Sequence, residues 1–135
     1  MQTLYEYSAA SKSVMRRFQL AKNVAALSTF DEYRHGAVLI KGGNVISVGC
    51  NKPGHNHFSS MIKGSPIGPH AEVVSILGMK RSKTMKSDVY VVRINKTEEL
   101  RNSKPCPNCQ ETLRYVGIKR VFYSVDENSY SVLKL

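Results

Sequence analysis

Asp88-Val89-Tyr90-Val91-Val92-Arg93-Ile94 is a seven-residue run in which apolar side chains occupy both alternating sets of positions. A strand with that pattern buries both of its faces, so it belongs inside a sheet covered on each side. The rest of the chain must therefore supply two covering layers. From Ser11 to Ser28, Val14, Phe18, Ala21 and Ala25 recur at helical spacing, with Lys12, Arg16, Gln19 and Asn23 opposite. This is an amphipathic helix with Ser11 at its N-cap. His70 to about Lys80 forms a second, well-buried helix through Val73, Val74, Ile76 and Leu77. Pro107 to Val116 forms a third, with Pro107 in its first turn and Gly117 as its stop.

The remaining strands follow from turn chemistry. Ala37–Ile40 and Val45–Val48 flank Lys41-Gly42-Gly43-Asn44 and read as a hairpin. Lys119–Val125 is a fourth strand. Beyond Asp126-Glu127-Asn128, Tyr130–Leu135 is a short antiparallel edge strand. The order α-β-β-α-β-α-β-β predicts an α/β fold, a mixed five-stranded sheet flanked by helices in three layers. At 135 residues, 41% hydrophobic and 22% charged, the chain suits one domain spanning residues 1–135. Asn51–Pro69, with three prolines and three glycines, is expected to be a long ordered loop.

No apolar run approaches the ~20 residues a membrane helix requires, and Met1–Ala10 lacks the pattern of a signal peptide. Three cysteines, an odd number, argue for a reducing compartment; a cytoplasmic, soluble protein is expected. Lysine and arginine number 20 against 10 acidic residues, a net charge of +10 that favours anionic partners, nucleic acid among them. The surplus is spread evenly, +5 in residues 1–69 and +5 in residues 70–135. Its densest cluster is Lys80, Arg81, Lys83 and Lys86, read as the solvated exit of the second helix or as a phosphate-contacting patch.

Chemistry concentrates at two helix starts. His70-Ala71-Glu72 opens the second helix and Pro105-Cys106-Pro107-Asn108-Cys109 opens the third. Cys106 and Cys109 share one helical face. With His70 they offer one nitrogen and two sulfurs, a soft set suited to one tetrahedral zinc ion. Three protein ligands leave a fourth position open for an acidified water, the arrangement of a catalytic site. Glu72, two residues beyond His70, is turned away from the ligand direction and placed to shuttle protons. A closed structural zinc site would need a fourth ligand, for which His55 and His57 are the candidates. Cys50 ends an apolar strand and reads as a small buried hydrophobe.

These motifs, H-A-E followed by P-C-x-x-C, resemble the zinc-dependent cytidine and deoxycytidylate deaminase superfamily, over nearly the whole chain. The resemblance implies a cytidine deaminase-like fold and hydrolytic removal of ammonia from a nucleobase. It implies zinc on His70, Cys106 and Cys109, Glu72 as proton shuttle, the Ala71 backbone N–H on the base carbonyl, and Asn51 on the sugar. Asn51 is equally a turn residue capping its own backbone. The His-Cys-Cys set is similar to the deoxycytidylate, tRNA-adenosine and polynucleotide branches. The lead Pro66-Ile67-Gly68-Pro69 departs from the tRNA branch, and the short last strand resembles the nucleoside branch. The expected substrate is a cytosine nucleoside or nucleotide, deoxycytidine monophosphate (dCMP) first, its phosphate held by Lys52, His55, His57 or Lys63. The alternatives are a single-stranded polynucleotide deaminase and a non-catalytic zinc module. Members of the superfamily often assemble, so a homo-oligomer is expected.

Overall fold

A computed structural model describes residues 2–30, 33–51, 70–76 and 78–135. In chain order the elements are β1 (Tyr5–Glu6), α1 (Lys12–Ala25), β2 (Arg34–Lys41), β3 (Asn44–Cys50), α2 (Ala71–Ile76), α3 (Arg81–Thr84), β4 (Asp88–Ile94), β5 (Leu100–Arg101), α4 (Pro107–Tyr115), β6 (Arg120–Ser124) and β7 (Ser129–Lys134). The five expected strands are all present, and two two-residue strands extend the sheet. Its order is β1-β7-β6-β4-β2-β3, with β5 paired to β4. β4 and β6 run parallel and the other pairs antiparallel. The short β1 covers part of the outer edge of β7, which the sequence assigns to the edge itself.

The apolar run of β4 sits in the interior and divides its side chains between two cores. Tyr90, Val92 and Ile94 face α1, joining Phe18, Ala21, Val38, Ile40 and Phe122. Val89 and Val91 face the other way, with Ala37, Leu39, Ala71, Leu113 and Val121. Ser11 caps α1, its Oγ accepting from the Val14 N–H at 3.2 Å. Two glycines let the helices approach. A Cβ on Gly36 would lie 2.2 Å from the Ala21 carbonyl oxygen, and one on Gly49 would lie 2.6 Å from the Ser75 nitrogen. Any side chain there would push α1 or α2 off the sheet.

The second helix is shorter than its sequence pattern implies. α2 ends at Ile76, and Gly78 adopts φ +74°. That left-handed turn starts a new direction before α3 forms over Arg81–Thr84. The basic cluster therefore lies on a separate helix, its N-cap Lys80 and the turn after it, not at the exit of α2. The β2–β3 hairpin closes through Gly42 and Gly43 at φ +58° and +80°. The expected loop after Asn51, with Lys52, His55, His57 and Lys63, falls outside the described residues. Among the described residues no helix is long and apolar enough to cross a membrane.

Candidate metal centre and active site

His70 immediately precedes α2, and its carbonyl oxygen accepts the first helical hydrogen bond, from Val74 N–H at 2.9 Å. Cys106 is the N-cap of α4, Pro107 follows it, and Cys109 lies one turn on. The Cys109 N–H donates to Cys106 Sγ at 3.5 Å. α2 and α4 start beside one another, with Val73 and Cys109 in contact and Cys106 packed against them. His70 Nδ1 lies 2.9 Å from Cys109 Sγ and 3.7 Å from Cys106 Sγ. One ligand atom from each of the three falls within 4.8 Å of the others. Cys50 is buried with a free thiol at the end of β3, and it is not part of this group.

The electrostatics of the cluster call for a cation. Burial drives the Cys109 thiol far above its ordinary range, and the Glu72 carboxylate and Cys106 sulfur push it further. Burial also lowers the pKa of His70, keeping the imidazole neutral and its nitrogen available as a ligand. Glu72 is fully enclosed, and desolvation raises its carboxyl from 4.5 to about 7. Its Oε1 is buried without any hydrogen-bond partner. An unpaired buried carboxyl oxygen costs about 1–3 kcal/mol or more, so its persistence beside two sulfurs and an imidazole marks a built site. Zinc fits this donor set, being soft, divalent and tetrahedral.

Ala71 is fully buried at the first position of α2, where a backbone N–H has no intrahelical acceptor. Asn51 is also buried, and its side chain spans to the next strand instead of capping its own turn. Its Oδ1 accepts from His35 N–H at 2.8 Å, and its Nδ2 donates to the Tyr33 carbonyl at 2.8 Å. The clamp holds Tyr33 at φ 57°, a left-handed conformation costly for a tyrosine. His35 Nδ1 donates to the same Tyr33 carbonyl at 2.8 Å. Burial lowers the His35 pKa to about 4, with His70 and Arg93 adding charge repulsion.

Two features of the site's support carry no motif. Ser103 and Ser124 are buried and stitch the approach to Cys106 onto the sheet. Ser103 Oγ lies 2.9 Å from the Val91 carbonyl and accepts from Ser124 N–H at 2.8 Å. Ser124 Oγ donates to the Arg101 carbonyl at 2.7 Å. The second is the Asn95–Glu99 turn joining β4 to β5. There Asn95 Oδ1 accepts from the N–H groups of Thr97 at 3.1 Å and Glu99 at 2.9 Å. The Asn-Lys-Thr sequence was the available signal for that turn; a lone serine three residues before a cysteine offers none.

A mixed α/β sandwich with a one-nitrogen, two-sulfur centre at paired helix starts and a buried carboxyl beside it defines a zinc-site hydrolase. Residues 10–125 match the profile of the cytidine and deoxycytidylate deaminase zinc-binding region, and the chain belongs to that family of hydrolytic deaminases. Comparison with curated protein sequences finds no match. Among solved structures it is similar to the dCMP deaminase of cyanophage S-TIM5, with a TM-score of 0.61 at 19% identity over 84% of each chain. It is also similar to RibD of Acinetobacter baumannii, with a TM-score of 0.55 at 20% identity over 83% of this chain. The chain spans only 28% of that protein's length. A variant cytidine deaminase of Mycobacterium tuberculosis gives a TM-score of 0.52 at 14% identity, over 84% of this chain and 90% of its own.

Proposed function

We propose that the chain deaminates a cytosine nucleoside or nucleotide to its uracil form, with dCMP the leading substrate. The observation that carries this reading is the buried, unpartnered Oε1 of Glu72 beside the His70, Cys106 and Cys109 ligand atoms. A structural zinc site has no use for such a carboxyl, whereas hydrolysis needs a proton carrier at that point. On this reading His70 Nδ1 and the two sulfurs hold zinc. Bound there, the metal contributes Lewis acidity, which brings the pKa of water from 15.7 to about 7.

Glu72 accepts one proton of the attacking water and delivers it to the ring nitrogen beside C4, then takes the second from the hydroxyl now on C4 and passes it to the departing amine. One water is consumed and one ammonia released. A carboxyl poised near 7 suits both taking and giving that proton. The Ala71 N–H holds the base carbonyl. Asn51 retains one amide hydrogen and one lone pair for the sugar after clamping Tyr33 and His35. The choice of dCMP draws support from the family and from the cyanophage enzyme, whose structure is known in complex with dCMP and dUMP. The evenly spread net charge of +10 favours a second reading, a single-stranded polynucleotide substrate.

An ammonia-release screen tests both. It covers cytidine, deoxycytidine, their monophosphates, guanine, adenosine and single-stranded oligonucleotides. Ammonia from the cytosine monomers supports the first reading. Release confined to oligonucleotides, guanine or adenosine would overturn it.

A further inference from the structure

Arg93 occupies a site that satisfies it poorly. It lies directly opposite His35 on β2 and opposite Arg101 on β5, so three cationic or titratable side chains form a row across three strands. Like charges placed directly opposite are destabilising unless a counter-charge intervenes. Glu99 on the adjoining turn is engaged by Arg101 at 3.3 Å, by Thr97 at 2.7 Å and by Asn95 at 3.1 Å. Among the described residues no carboxylate pairs with Arg93, and its buried Nε has no hydrogen-bond partner. The guanidinium is nevertheless fixed in place, with its carbon 4.4 Å from the centre of the Tyr33 ring. The backbone carbonyl of Tyr33 is held in turn by Asn51.

The row lies on the active-site side of the sheet. Ala37 and Val91 pair with one another and pack in one core with Ala71. His35 and Arg93 are the next pair along on that face, one two-residue step of about 6.6 Å. Beside them is a cleft of about 280 Å³ lined by Tyr33, Arg93, Asn95, Lys96 and Thr97. A guanidinium seated over an aromatic ring without a carboxylate partner, at a cleft also lined by a lysine, suits a phosphate.

We propose that Arg93 is a specificity-determining residue that holds the 5′-phosphate of a nucleoside monophosphate substrate in this cleft. The proposal deepens the cytosine-nucleotide reading above and rests on it. It also moves the phosphate from the expected lysines and histidines of the 52–69 segment to the end of β4.

The test compares the native enzyme with Arg93→Gln and Arg93→Lys, using kcat/KM for dCMP and deoxycytidine and calorimetric binding of dUMP and deoxyuridine. The native enzyme should prefer the phosphorylated member of each pair. Arg93→Gln should cut that preference roughly tenfold to hundredfold, mainly through KM and the dUMP affinity, with Arg93→Lys between them. An unchanged preference, equal losses on both members, or an effect confined to oligonucleotides would overturn the proposal. If no cytosine compound is deaminated, the substrate reading fails. The binding arm then still decides the role of Arg93: dUMP bound no more tightly than deoxyuridine, or equally well by Arg93→Gln, would overturn it.

Discussion

His70 Nδ1 and Cys109 Sγ lie 2.9 Å apart although 39 positions separate them in sequence. The contact joins the start of α2 to the first turn of α4, and the metal centre depends on it. Cys106→Ser and Cys109→Ser should each lose most of the zinc, because thiolate ligands dominate the affinity. Both should also lower the melting temperature, since metal binding free energy is also folding free energy. Elemental analysis and thermal melting of protein purified without chelator check this, with about one zinc per native chain expected.

Ser103 tests the support beneath that centre. Its hydroxyl is buried and joined to Val91 and Ser124. Ser103→Ala leaves those backbone groups short of a partner and should cost about 1–3 kcal/mol of stability. Because the same loop leads into Cys106, zinc should also be released at lower chelator concentration than from the native protein. Denaturant melts and chelator titration together separate this variant from one that is merely less stable.

His35 gives the pH dependence a sign. Its folded pKa, about 4, lies below the ordinary 6.5, so the unfolded chain binds the extra proton first. The contribution is fully present above pH 6.5 and is lost as pH falls through 4. His35→Gln keeps a side-chain donor for the Tyr33 carbonyl and removes this titration. Its stability should fall less steeply than the native protein's between pH 6.5 and 4, as read by denaturant midpoints at each pH.

Lys80, Arg81, Lys83 and Lys86 distinguish small from polymeric substrates. They sit at the N-cap of α3, on α3 and in the following turn, apart from the helix that carries Glu72. Replacing all four with serine should change KM for the best small substrate less than threefold. Affinity for single-stranded oligonucleotides should be weak and shallow in salt. A polymer bound through several phosphates would instead show a log–log slope of roughly 0.7 per contact.

The elements most legible in the sequence were those whose periodicity matched their burial. The run of β4 announced two cores, and Ser11 announced the start of α1. The clustering of His70, Cys106 and Cys109 was legible because H-A-E and P-C-x-x-C are local spacings at helix starts. What escaped was set by tertiary contacts. Gly78 cuts an apolar stretch that reads as one long helix. β1 and β5 are two residues each, too short for any alternation to register. Arg93 lies within a run that reads as an apolar strand and carries no signal of its own; only the register that sets it against His35 and Arg101 gives it meaning. Asn51 was singled out for the sugar, but its clamp on Tyr33 and His35 depends on the β2–β3 pairing.

The central claim is that Glu72 carries protons for a zinc-dependent hydrolysis. Ammonia release by Glu72→Gln, measured beside the native enzyme at matched zinc content and melting temperature, tests it most directly. The amide fills the same buried space without a titratable proton, so zinc and folding should persist while turnover drops about 10²–10⁴-fold or more. A zinc-loaded, folded Glu72→Gln that releases ammonia at near the native rate would contradict the account.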